Sequence, residues 1–115
     1  MSRIISIHEY SLKPGVSVNS FEKSISSARE RGILKLPGLE NYSLMKGIRG
    51  ARRNQYAALW IYRDLSSWEK LWGPLDNPFK KEKYPENWKK WENEIIGPYL
   101  TGDPDKISFT SYQEL

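Results

Sequence analysis

The sequence contains no cysteine and one histidine. The first absence removes disulfide frameworks, thiolate nucleophiles and Cys-ligated zinc or iron–sulfur sites. The second removes HExxH and any two-His metal site within one chain. Neither GxGxxG nor GxxxxGK occurs, so no nucleotide-binding loop is expected. No apolar run approaches the roughly 18 residues of a membrane span, and the opening MSRIISIHEYS lacks the apolar stretch of a signal peptide. The expected address is the cytoplasm, with no membrane partner, no metal and no resident cofactor. Charge of one sign is scarce as well: 18 basic and 14 acidic residues leave +4, spread along the chain rather than massed in a tail.

Aromatic rings are abundant by contrast. Five Trp, seven Tyr and three Phe stand in a chain whose whole hydrophobic set is only 38%. Rings at that density fill a core or line a pocket or an interface, and they argue against disorder. The length of 115 residues fits a single domain spanning 1–115.

Along the chain, RIISIHEYSL (Arg3 to Leu12) alternates with period two and closes on Lys13-Pro14-Gly15, predicting a strand. Ile5, Ile7 and Glu9 share one face of it, and Ile4, Ser6, His8, Tyr10 and Leu12 the other. Asn19 with Glu22 forms an N-cap pair for an amphipathic helix carrying Phe21, Ile25 and Ala28 on one stripe and stopping at Gly32. Leu39 to Ile48 reads as an edge strand, and the basic run Arg49 to Asn54 as a hairpin loop. Gln55 to Asp64 is the most apolar stretch and is expected at the centre, with Ala57, Leu59 and Ile61 on one face and Tyr56, Ala58, Trp60 and Tyr62 on the other. Ser66 and Glu69 predict a second capped helix with Trp68, Leu71 and Trp72, ended by Gly73-Pro74. The proline-rich segment Gly73 to Glu86 is a loop of the length that serves as lid or binding loop, and its Asp76, Asn77, Lys80 and Lys81 are candidates to gate a site. A third helix opens at Pro85 and runs to Gly97-Pro98 with Trp88, Trp91 and Ile95 at helical spacing. Its Glu86, Lys89, Lys90, Glu92 and Glu94 mix signs as a solvated face does. KISFTSYQEL, ending at Leu115, is the final strand.

The order βαββααβ is the ferredoxin-like α+β plan: a four-stranded antiparallel sheet with helices on one face. Both faces of the first and third strands carry large or β-branched side chains. The face opposite the helices therefore needs a cover, and a second copy of the chain supplies it: a homodimer through the open sheet face, forming a dimeric α/β barrel.

On this layout the chain resembles the dimeric α/β-barrel superfamily, which includes antibiotic-biosynthesis-type and haem-degrading monooxygenases, stress-responsive barrel proteins and NIPSNAP-like proteins. The resemblance is carried by IHEYSLKPGVSVNSFEKSI (Ile7 to Ile25), similar to the NIPSNAP pattern of a strand ending in Tyr-x-Leu-Lys-Pro-Gly before the first helix. The Leu36-Pro37-Gly38 turn, the apolar third strand and the Trp-bearing helix followed by Pro98-Tyr99-Leu100 also fit. The resemblance implies cofactor-independent oxygenation or isomerisation of a small aromatic or polyketide-like molecule. Where NIPSNAP-like first strands alternate Glu, Arg and Tyr, this chain has Ser6, His8 and Tyr10. The helical His that ligates iron in haem-degrading members has no counterpart here.

His8 is the candidate general base or orienting group, with Tyr10 beside it on the same face. Tyr56, Trp60 and Tyr62 continue that face onto the neighbouring strand, and Trp68, Trp72, Trp88 and Trp91 offer an aromatic wall for a flat ligand. The same residues admit a plainer reading: His8 as a hydrogen-bonded strand histidine, the rings as core or dimer interface. Two functions therefore stand, a cofactor-free enzyme and a non-catalytic ligand-binding or structural homodimer. RNA binding is disfavoured, because the RNP1 signature is missing and the third strand reads QYAALWIY.

Overall fold

Period-two alternation decides the sheet. In the computed structural model, which describes residues 2–115, β1 (Ile4–Tyr10) pairs antiparallel with β3 (Tyr56–Tyr62), Ser6 opposite Trp60 and His8 opposite Ala58. β2 (Leu39–Lys46) flanks β3 and β4 (Ser108–Gln113) flanks β1, giving the order β2-β3-β1-β4. The expected edge position of the second strand and the central position of the third both hold.

Three helices cover one face. α1 (Val18–Glu30) buries Phe21, Ile25 and Ala28. α2 (Leu65–Trp72) buries Leu71. α3 (Glu86–Lys90) continues as a wider π-helical segment, Trp91–Ile96, and the two together bury Trp88, Trp91, Glu92, Ile95 and Ile96. These stripes meet Ile4, Tyr10, Tyr56, Ala58, Trp60 and Tyr62 from the sheet in one core. This is the ferredoxin-like α+β fold, as expected. Among the described residues no helix is long and apolar enough to cross a membrane.

Both helix starts differ from the sequence expectation. α1 is capped by Ser17, whose hydroxyl accepts the Ser20 N–H at 3.2 Å, and not by Asn19, which already lies in the first turn. α2 is capped by Asp64, whose carboxylate accepts the Ser67 N–H at 2.8 Å, and not by Ser66. In each case the cap is the last residue with extended backbone, and the helix begins directly after it. Pro85 stands at the cap of α3, directly before its first residue Glu86, where the sequence places the start of this helix.

The opposite sheet face carries Ile5, Ile7, Ala57, Leu59 and Ile61, all half-buried in the single chain. Ile5 lies across from Ile61 and Ile7 across from Leu59. Exposed Met45 on β2 and Tyr112 on β4 widen this apolar surface to both edges. The basic hairpin is tied down through Arg52, which donates to the Tyr10 and Tyr56 carbonyls at 3.2 and 2.8 Å.

Candidate active site between sheet and helices

Ser6, His8 and Tyr10 leave β1 on the helix-covered face, and Phe109 and Ser111 leave β4 on the same side. The helices do not close fully over this part of the sheet. A cavity of about 350 Å³ remains, walled by Tyr62 of β3, Trp68 and Trp72 of α2, Trp88 of α3, and Glu92 and Ile96 of the π-helical segment. Leu75, Pro78 and Tyr84 from the long loop and Pro104, Asp105 and Ile107 before β4 complete it.

Six of the residues singled out in the sequence therefore line one cavity: His8, Tyr10, Tyr62, Trp68, Trp72 and Trp88. Three do not. Tyr56 packs on Phe21 with ring centroids 4.9 Å apart and donates a hydrogen bond from its hydroxyl to the Glu22 carboxylate, at another part of the sheet. Trp60 and Trp91 are each 0% exposed and meet edge to face, centroids 5.7 Å apart, as core beneath the cavity. From the loop, the apolar Leu75 and Pro78 reach the cavity, while Asp76, Asn77, Lys80 and Lys81 do not.

His8 is held among rings, with Trp60, Trp88 and Phe109 all edge-on at centroid distances of 5.9, 5.8 and 5.6 Å. Its Nδ1 is buried without a hydrogen-bond partner. The hydrogen bond of the plainer reading is not made at this atom, and Tyr10 Oη is also unpartnered. Burial lowers the His8 pKa to about 4, so the ring is neutral at physiological pH. A buried nitrogen with no acceptor is better left as a lone pair than as an unpaired N–H, which puts the proton on Nε2. Burial also pushes the Tyr10 and Tyr62 hydroxyls well above the ordinary phenol range. Both stay protonated donors.

Glu92 was not anticipated. Its mixed-charge helix predicts a solvated position, yet it is 7% exposed and its side chain borders the cavity. Burial first, then the charges of Asp105 and Asp103, raise its carboxyl to about 7, against the opposing influence of the Trp88 indole and Lys81. No cation pairs with it among the described residues; Lys81 is engaged by Asp103 at 3.6 Å. The signal was present in the spacing: Glu92 lies four residues after Trp88 and four before Ile96, on the stripe that faces the sheet.

Two glycines shape the surroundings. Gly97 closes the π-helical turn by donating its N–H to the Glu92 carbonyl at 2.8 Å, and a Cβ on it would come within 2.3 Å of that oxygen. π-helical turns of this kind frequently mark functional sites. Gly73, at φ +91°, ends α2 where a Cβ would stand 2.6 Å from the Phe79 nitrogen, and that N–H donates to the Trp72 carbonyl at 2.8 Å.

Among the described residues, no group of three or more His, Asp or Glu is arranged to hold a metal ion. What the cavity offers is a neutral imidazole, protonated phenols, a carboxyl that ionises near neutrality, and apolar walls.

No family model and no curated protein matches the chain. Solved structures do. A dimeric ferredoxin-like protein of unknown function from Thermobifida fusca superposes with TM-score 0.64 at 14% identity, covering 98% of this chain and 92% of its own. SnoaB, a cofactor-independent oxygenase from Streptomyces nogalater, matches with TM-score 0.61 at 9% identity over 100% of this chain and 95% of its own. The hydroxynitrile lyase of Passiflora edulis matches with TM-score 0.64 at 10% identity, covering 98% and 94%. At such identities the likeness is one of fold. The chain shares the ferredoxin-like fold of these proteins, a fold on which different chemistries are built.

Proposed function

We propose that the protein is a homodimeric enzyme that performs acid–base chemistry, without a tightly bound cofactor, on a small and flat molecule of aromatic or polyketide-like kind. One observation carries this reading: a ring-lined cavity of about 350 Å³ into which an imidazole and a carboxyl of shifted pKa both reach. Apolar pockets with a few convergent polar groups of perturbed pKa are the usual form of a small-molecule site. His8 and Tyr10 orient the polar end of the substrate, and Tyr62, Trp68, Trp72 and Trp88 hold its flat body. The cofactor-independent oxygenase and the lyase among the structural neighbours support chemistry on this scaffold, and the neighbour described as dimeric supports self-association. The apolar face around Ile5, Ile7, Leu59 and Ile61 is the surface through which two copies would join.

Titration with 1-naphthol, followed by tryptophan fluorescence and by NMR of the His8 and Trp indole resonances, tests the site. Saturable quenching with shifts confined to His8, Trp72 and Trp88 is expected. Shifts on the outer sheet face, or none at all, would remove the basis of the proposal.

A further inference from the structure

We infer that Glu92 is the base of this cavity and His8 its neutral hydrogen-bond donor, so that the reaction is proton transfer at a carbon beside a carbonyl: keto–enol or double-bond isomerisation of an uncharged ketone. The inference rests on the proposed function and assigns its roles and reaction class.

The placement comes first. His8 rises from β1 in the sheet, whereas Glu92 projects from the π-helical segment that packs over it, so the two reach the cavity from different layers. Trp88, one turn before Glu92, stands edge-on to His8, so that its indole borders both polar groups in the cavity wall. A planar substrate in this cavity meets the carboxyl from the helix layer and the imidazole from the sheet layer.

The chemistry follows from the two groups. An imidazole whose charged form is so strongly disfavoured is a poor base at neutrality but a good N–H donor, and Nε2 carries that proton. A carboxyl titrating near neutrality matches the requirement for a general base working there. A buried glutamate base opposite an uncharged histidine is an established division of labour for enolisation. The Glu92 carboxylate takes the proton from the C–H bond. The bonding pair moves into a carbon–carbon double bond and the carbonyl pair moves onto oxygen, where His8 N–H and a tyrosine hydroxyl stabilise it. Glu92, now a carboxylic acid, returns the proton to the same carbon or to the vinylogous one. Nothing is oxidised or reduced, and no co-reactant is consumed.

The walls select for an uncharged substrate. Among the described residues no lysine or arginine lines the cavity, whereas Glu92 and Asp105 both do, so an anionic substrate would meet like charge. The groups facing Glu92 are Trp88 on its own helix, Asp103 and Asp105 before β4, Lys81 and Tyr84 from the loop, and Tyr10 from the sheet. Of these only Lys81 favours the carboxylate by its charge, and Asp103 engages it.

The test uses 2-tetralone, a flat aromatic ketone, with the whole protein in D2O. Exchange of its α-protons is followed by NMR, and binding by tryptophan fluorescence. Exchange faster than in buffer, rising through about pH 7 to a plateau, is expected from the Glu92 titration. Glu92→Gln should lower it by about a hundredfold with binding retained. Glu92→Asp should recover part of the rate, and His8→Phe should slow exchange without removing the pH midpoint. Exchange that survives Glu92→Gln but disappears in His8→Phe overturns the assignment and leaves the proposed function standing. Binding without exchange overturns the assignment of reaction class. Absence of binding removes both.

Discussion

The indole of Trp88 meets the imidazole of His8 edge-on, with ring centroids 5.8 Å apart and planes inclined at 85°. The same indole contacts Trp60 and Trp72 at 5.2 and 5.1 Å, joining the closed core to the cavity wall. Removing it empties volume on both sides. Trp88→Ala is expected to lose about 3–5 kcal/mol of stability, the range for large core aromatics, with Trp88→Phe losing clearly less. Urea unfolding measures both. A Trp88→Ala loss under about 1 kcal/mol, small against that range, would mean that Trp88 is not the hub its contacts indicate.

Opposite slopes of stability with pH should come from the two cavity groups. The folded-state pKa of His8, about 4, lies below the ordinary 6.5, so the unfolded chain takes up a proton first and stability is lost as pH falls from about 6.5 toward 4. Glu92, at about 7 against 4.5, holds its proton longer when folded, so its contribution is lost as pH rises from about 4.5 through 7. His8→Phe should flatten the acidic limb of a plot of urea midpoint against pH. Glu92→Gln should raise the midpoint above neutrality and have little effect near the acidic end. Slopes identical to wild type in both variants would contradict these shifts.

Gly97→Ala tests whether the wide turn positions Glu92. The added Cβ would collide with the Glu92 carbonyl at 2.3 Å, so the turn must shift and carry the carboxyl with it. A stability loss of roughly 1–3 kcal/mol is expected, as for other overpacking changes. The NMR-detected titration of Glu92 should move from about 7 toward the ordinary carboxylate range. An unchanged titration would show that the carboxyl is held by its neighbours and not by the turn.

Leu59 sits mid-strand on the uncovered face, across from Ile7. Leu59→Glu places a charge at the centre of the proposed dimer contact, where desolvating it is costly. Sedimentation should then report the single-chain mass of 13.5 kDa, against twice that value for wild type. If wild type already sediments as one chain, the apolar face has some other role.

The alternation of β1 and β3 made most of the fold legible. Ile4-Ser6-His8-Tyr10 and Tyr56-Ala58-Trp60-Tyr62 each lie on one face of their strand, and the pairing of β1 with β3 joins them into one surface. Which face the helices would choose was not legible, because period two separates two faces without ranking them. Depth was hidden for a related reason. Trp60 and Tyr62 share a face, yet Trp60 is roofed by Trp88 and Trp91 while Tyr62 borders the cavity. Glu92 was hidden because the mixed charges of its helix describe a solvated face, whereas its position between Trp88 and Ile96 belongs to the buried one. An acid on the Trp88–Ile96 stripe was the better clue.

The loop after α2 bears on the cavity wall. Phe79 N–H clasps the Trp72 carbonyl, and Gly73 leaves that contact too close for any side chain. The two ends of the Trp72–Phe79 segment are thereby tied together beside the cavity, and Leu75 and Pro78 are presented to its wall from a closed backbone loop.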